Sequence, residues 1–143
     1  SQSLLKVIED NVPALNLMSE ENFNSKPVKM SWSKKEILGH LIDSASNNHH
    51  RFVKIQFENL PYHVIGYMQD EWVEKNAYKT QSSEVLIRLW SVYNLHLAHL
   101  IENIPETKLS SVCILKENTK VTFEFIIKDY IDHMIHHLEQ IYS

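Results

Sequence analysis

"WSKKEILGHLIDSASNNHHRF", residues 32–52, opens with the strongest helix-start signal in the chain. Ser33 and Glu36 stand at the S-x-x-E spacing of a capping box, in which each side chain satisfies the other's orphan backbone N–H, and Trp32 and Ile37 occupy the hydrophobic-staple positions. The pattern predicts a helix of about seven turns, from Ser33 to about Leu60 and stopped by Pro61. Its apolar stripe is Ile37, Leu38, Leu41, Ala45, Phe52 and Ile55. Beside that stripe, at i, i+4, i+7 and i+11, run His40, Ser44, Asn47 and Arg51. Such a polar ridge suits a helix that lines a wet cavity; a solvated flank is the alternative reading.

Three more helical segments surround this one. Leu4, Leu5, Val7, Ile8, Val12 and Leu15 repeat with helical period from about Ser3 to Met18, and Pro13 predicts a kink or an early end there. A third helix is expected from Ser83 to Asn103, ending before Pro105, and a fourth starts at Thr122 as N-cap and continues to the end of the chain. Residues 61–83 have no clean period and contain Gly66, so they read as a long loop of the kind that often carries function. Residues 106–121 fit a short hairpin around Glu117-Asn118. The expectation is an all-α four-helix bundle, one domain over residues 1–143, with long inter-helix connections and possible hairpin structure before the last helix.

The bulk numbers exclude several functions. The 143 residues carry a net charge of −4 with dispersed Lys and Arg, which leaves no basic footprint for nucleic acid. No apolar run reaches the length of a membrane span, and no signal peptide is visible. The single cysteine, Cys113, rules out an internal disulfide, fits a reducing cytoplasm, and reads as a half-buried apolar residue.

Nine histidines are the unusual entry in this composition. On the last helix Phe123, Ile127, Tyr130, Met134, Leu138 and Ile141 form the buried stripe; at about 100° per residue His137 falls within about 50° of its centre and His133 on its flank. His136 points towards solvent. His133 and His137, at i and i+4, are spaced to grip one ion. Joined by His40 they would form a site of three neutral imidazoles, leaving the ion its full charge and an open position for water, thiol or substrate. Asp43 and Asp129 are candidate acceptors for the far imidazole N–H groups, or solvated helix charges. His96 and His99, at i and i+3 on the third helix, are the runner-up ligand pair, but His96 falls on the stripe Val85, Leu89, Val92, Tyr93 and Leu100 and reads instead as a buried core histidine. His49, His50 and His63 have no partner at metal-binding spacing.

The helix at 32–52 and the terminal "DYIDHMIHHLEQI" (129–141) together resemble the DinB/YfiT-like superfamily, as do "YMQDEWV" (67–73) and "LWSVYNLHLAHLIENIP" (89–105). The paired W-[ST]-x-x-E-[IL]-x-x-H and H-x-x-x-H motifs carry the resemblance. It implies a four-helix bundle, often a homodimer, holding a divalent metal through His40, His133 and His137. Characterised relatives include S-transferases that use low-molecular-weight thiols such as bacillithiol and a mycothiol-dependent maleylpyruvate isomerase, while others are only described as metal-dependent hydrolases and many have no assigned activity. The resulting expectation is a metal-dependent transferase or hydrolase acting on a small molecule, with a non-catalytic metal-binding bundle as the alternative. Zinc and nickel suit the ligands best, with manganese and iron as further options, and a small thiol is a possible cosubstrate. Ser44, Asn47 and Arg51 are placed to contact an anionic group, and Tyr67, Asp70 and Trp72 to close over it.

Overall fold

The computed structural model describes residues 1–143 and contains six α-helices and three short strands: α1 Gln2–Asn16, α2 Glu20–Asn24, α3 Lys34–Lys54, β1 Tyr62–His63, α4 Gln69–Lys75, α5 Ser83–Glu102, β2 Val112–Ile114, β3 Lys120–Thr122 and α6 Phe123–Tyr142. Four of them, α1, α3, α5 and α6, form the bundle. Around its axis α1 adjoins α5, α5 adjoins α3, α3 adjoins α6, and α6 returns to α1. Successive helices α5 and α6 are therefore diagonal, which is why their connection must be long.

Local chemistry sets the helix starts. The capping box of α3 is formed in full: Glu36 N–H donates to Ser33 Oγ at 3.1 Å, and Ser33 N–H donates to Glu36 Oε1 at 3.1 Å. Thr122 caps α6 by accepting from Phe125 N–H at 3.1 Å. Helix α5 has no side-chain cap of its own, and Glu20 of α2 supplies one by accepting from the Ser83 N–H at 2.9 Å and from the Ser83 hydroxyl. The other Glu20 oxygen accepts from the buried Lys35 ammonium at 2.8 Å. Lys35 and Ser83 together hold the Glu20 carboxyl down at about 2. One carboxylate thus ties α2 to both α3 and α5.

The core stripe of α3 is as expected: Ile37, Leu38, Leu41, Ala45, Phe52 and Ile55 are all buried. Each large apolar side chain of that stripe contributes about 1.5–3 kcal/mol of transfer free energy. Other expectations are corrected. Helix α3 stops at Lys54, short of Leu60, because residues 55–58 tighten into turns. Pro13 lies inside α1, which ends three residues later at Asn16, short of Met18. The stretch 61–83 is not a structureless loop: it holds β1, α4 and a 3₁₀ turn at Tyr78–Thr80. After Ser83 at its start, the buried α5 residues are Leu86, Ile87, Trp90, Asn94, Leu97 and Ala98, whereas Val85, Leu89, Val92 and His96 are exposed. Asn94 is tolerated inside because its Oδ1 accepts from the Tyr130 hydroxyl at 2.5 Å and its Nδ2 donates to the Trp90 carbonyl at 2.9 Å.

The hairpin before α6 is present. β2 and β3 pair antiparallel, with Cys113 opposite Val121, and Glu117 and Asn118 take the left-handed turn between them. β1 adds in parallel on the far side of β2, Tyr62 opposite Cys113, to give the order β1-β2-β3. Cys113 is fully buried rather than half-buried. This small sheet brings Val64, Tyr67 and Leu115 over the groove between α3 and α6. No helix is long and apolar enough to cross a membrane.

Candidate metal centre

His40 lies on α3 and His133 and His137 on the neighbouring α6, and the structure brings all three together. His133 Nε2 is 3.3 Å from His40 Nε2 and 3.0 Å from His137 Nε2. One nitrogen from each ring lies within 4.8 Å of the other two. The rings meet edge to face, with centroids 4.4–5.1 Å apart. His40 is fully buried beneath Trp32, whose ring centroid is 4.9 Å away, while the α6 pair is half-buried.

Charge and tautomer decide what such a cluster can do. Burial, then the proximity of His137 and His133, draws the His40 pKa down to about 3. Burial, then His137 and His136, draws His133 down to about 4, and burial lowers His137 as well. All three are neutral at pH 7 and keep lone pairs for a cation. His137 Nδ1–H donates to Gln140 Oε1 at 2.7 Å, which fixes its Nε2 as the lone-pair nitrogen facing His133. Facing lone pairs repel unless a proton or cation lies between them. A tetrahedral ion with bonds of about 2.0–2.1 Å to nitrogen sets its ligand atoms about 3.3 Å apart. The His40–His133 separation matches that spacing, the His133–His137 separation is slightly shorter, and all three ligand atoms lie within 4.8 Å of one another, so small side-chain rotations would let the residues fit a divalent cation.

The surrounding residues depart from expectation in several places. Asp43 does not serve His40. Its Oδ1 accepts from the Tyr78 hydroxyl at 2.5 Å and from Asn76 Nδ2 at 3.1 Å, and it lines a separate cavity of about 340 Å³ with Trp72 and Tyr78. Burial raises its carboxyl to about 6, and His40 Nδ1 is left without a protein partner. Asp129 is exposed and makes no hydrogen bond to either α6 histidine. Gln140, not an aspartate, orients His137, and its amide also donates to the exposed His136 at 3.3 Å. Its position three residues after His137 was the available signal.

A cavity of about 170 Å³ opens beside His133, lined by Ser44, Asn48, Arg51, Tyr67, Asp129 and Tyr130 among others. Of the three histidines only His133 reaches it. Asn48, not Asn47, continues the ridge, at i+8 from His40 and i+4 from Ser44; Asn47 turns back to donate to the Asp43 carbonyl at 2.9 Å. Tyr67 covers the cavity, and burial, then the Asp43 charge, pushes its phenol up to about 12. Trp72 lies against Tyr67 but belongs to the Asp43 cavity, and Asp70 is exposed beside neither. His49 is half-buried with Nδ1 2.9 Å from the Tyr93 hydroxyl and its ring against His96, away from the three-histidine cluster.

A family model described as the DinB superfamily matches residues 4–141. Among solved structures, YfiT from Bacillus subtilis, described as a probable metal-dependent hydrolase with an unusual four-helix bundle topology, superposes with a TM-score of 0.82 at 20% identity, over 98% of this chain and 82% of its own. The mycothiol-dependent maleylpyruvate isomerase superposes with TM-scores of 0.78 (a histidine-to-alanine mutant of it) and 0.73, at 12% and 14% identity. Those matches cover 98% and 97% of this chain but only 58% of the isomerase. At these identities the likeness is one of fold. Among curated protein sequences none matches.

Proposed function

The chain belongs to the DinB superfamily, and from that premise we propose that it is a divalent-metal-dependent enzyme whose ion is held by His40, His133 and His137. The convergence of the three rings carries this reading, together with the Gln140 bond that leaves the His137 Nε2 lone pair facing its neighbour. A divalent cation bound there supplies Lewis acidity, lowering the pKa of a coordinated water or small thiol towards neutrality.

The remaining chemistry belongs to the chain. Three neutral ligands add no negative charge, so the full charge of the ion is available to the reacting group. Trp32 and the core stripe keep water from the His40 side, which makes the cavity beside His133 the open approach. Ser44, Asn48 and Tyr67 offer neutral hydrogen-bonding groups along it. No serine or cysteine is paired with a base there, and Cys113 is buried in the sheet, so the nucleophile is a water or a thiol brought in from solution. The hydrolase description of YfiT supports the first and the thiol-dependent isomerase the second.

Elemental analysis of protein never exposed to a nickel column, alongside a His40→Ala/His137→Ala variant, tests the centre. About one divalent ion per chain, lost in the folded variant, is the expected result. No stoichiometric metal after reconstitution with zinc, nickel or manganese refutes it. Turnover is then tested by assaying the loaded protein with small thiols against chlorinated electrophiles and, separately, with ester and amide hydrolysis; loss of either activity in the variant assigns the reaction type.

A further inference from the structure

The cavity beside His133 contains a cation that forms no ion pair within the protein. Arg51 lies half-buried on the last turn of α3, and its guanidinium meets only neutral acceptors: Nη2 donates to the Ile65 carbonyl at 2.8 Å and Nη1 to Asn48 Oδ1 at 3.3 Å. The ion pairs of the molecule are made by Lys6, Lys35, Lys75 and Lys128, and none by Arg51. A guanidinium has five N–H donors in a planar fork, so donors are left over. Removing such a charge from water without a partner works against folding. The protein keeps it there nonetheless, in a chain whose net charge is −4.

The rest of the cavity narrows the class of ligand. Val64, Leu115, Phe125 and Ile126 give it an apolar wall. Asp129 is its one acidic side chain, exposed and unpaired with Arg51, and it opposes any second negative charge. A volume of about 170 Å³ is close to the roughly 150 Å³ engineered cavity that accommodates benzene. We propose that this cavity binds a small monocarboxylate with a hydrocarbon body, its carboxylate on the Arg51 fork and its hydrocarbon against Val64, Leu115, Phe125 and Ile126. The fork matches a planar carboxylate in two parallel hydrogen bonds, whereas a phosphate dianion would bring a charge that a single arginine, in a cavity that also holds an aspartate, does not balance. That this acid is the substrate, or the part of it that orients the rest towards His133, rests on the metal-enzyme reading above; the binding itself does not.

The test titrates acetate, butyrate and benzoate, each against its neutral amide, and inorganic phosphate into zinc-reconstituted protein. Calorimetry gives affinity, and the Arg51 Nε–H nuclear magnetic resonance signal reports the site in the unmutated chain. Benzoate should bind at least tenfold more tightly than benzamide and shift the Arg51 signal. Arg51→Met should weaken benzoate by about tenfold to a hundredfold with zinc content unchanged, and Arg51→Lys should fall between. Carboxylates binding no better than their amides, no movement of the Arg51 signal at saturation, or phosphate binding more tightly than every carboxylate overturns the proposal. The same titration in His40→Ala/His137→Ala, with zinc measured on each sample, separates the two readings. Benzoate binding that survives without zinc supports the Arg51 site even where the metal centre fails. Binding that disappears with zinc and ignores Arg51→Met overturns it.

Discussion

Gly39→Ala is a substitution for which helix propensity and packing predict opposite signs. Gly39 lies in the interior of α3, one residue before His40, and glycine there is worth about 0.8–1.0 kcal/mol less than alanine. The added methyl, however, would lie 2.7 Å from Cε2 of Tyr78 and closer still to its Cδ2 and Cγ. Those atoms include the base of a buried ring, not the free end of a mobile chain, and the ring is anchored by its hydroxyl bond to Asp43. Shifting it costs about 1–3 kcal/mol in overpacking. Weakening the bond to Asp43 adds about 1.5–3 kcal/mol. Less the propensity gain, the net destabilisation is about 1.5–5 kcal/mol, read from urea unfolding followed by circular dichroism. The cycle with Tyr78→Ala sharpens this: without the ring, Gly39→Ala should stabilise by about 1 kcal/mol. A variant as stable as the parent, or the same sign in both backgrounds, refutes the packing account.

Gln140→Leu removes the acceptor for His137 Nδ1–H and should weaken zinc binding about 10- to 100-fold in competition with a chromophoric chelator, while Gln140→Glu retains it. For pH, Asp43 has a native pKa of about 6 against an ordinary value of 3.8. The native state therefore holds the extra proton, and this group's contribution to stability falls as pH rises from about 4 through about 6. Asp43→Asn should flatten that part of the profile in metal-free protein, measured as urea midpoints at about pH 4.5 and 6.5; an unchanged slope would show that Asp43 does not titrate in this window.

How far the sequence was legible depends on the range of the interactions involved. The starts of α3 and α6 were readable because Ser33, Glu36 and Thr122 act on backbone groups three residues away. The three histidines could be grouped because phase along two well-patterned helices selects them. The buried face of α5 was misread because apolar residues surround that helix: Val85, Leu89 and Val92 make as good a stripe as Leu86, Trp90 and Leu97, and only the partners choose. The expected Asn47 differs from the observed Asn48 by one residue, about 100° of rotation, so a ridge followed over three turns from His40 is easily misassigned. Asp43 was placed beside His40 because its true partner, Tyr78, is 35 residues on, in a 3₁₀ turn too short to show a period. β1 is two residues long and exists through pairing with a strand some fifty positions later, which no local pattern announces.

His40 and His133 are separated by 93 positions, and this spacing has a consequence in time. A ribosome adding about 5–20 residues per second leaves His40 without its partners for about 5–20 s. A single imidazole on a growing chain is a weak ligand, so the emerging polypeptide has little with which to retain a stray ion. The two α6 histidines then arrive together, one turn apart, on the segment whose docking against α3 closes the bundle. Capture of an ion by this ligand set would accordingly have to wait for α6, and an ion bound there would mark a bundle whose four helices have come together.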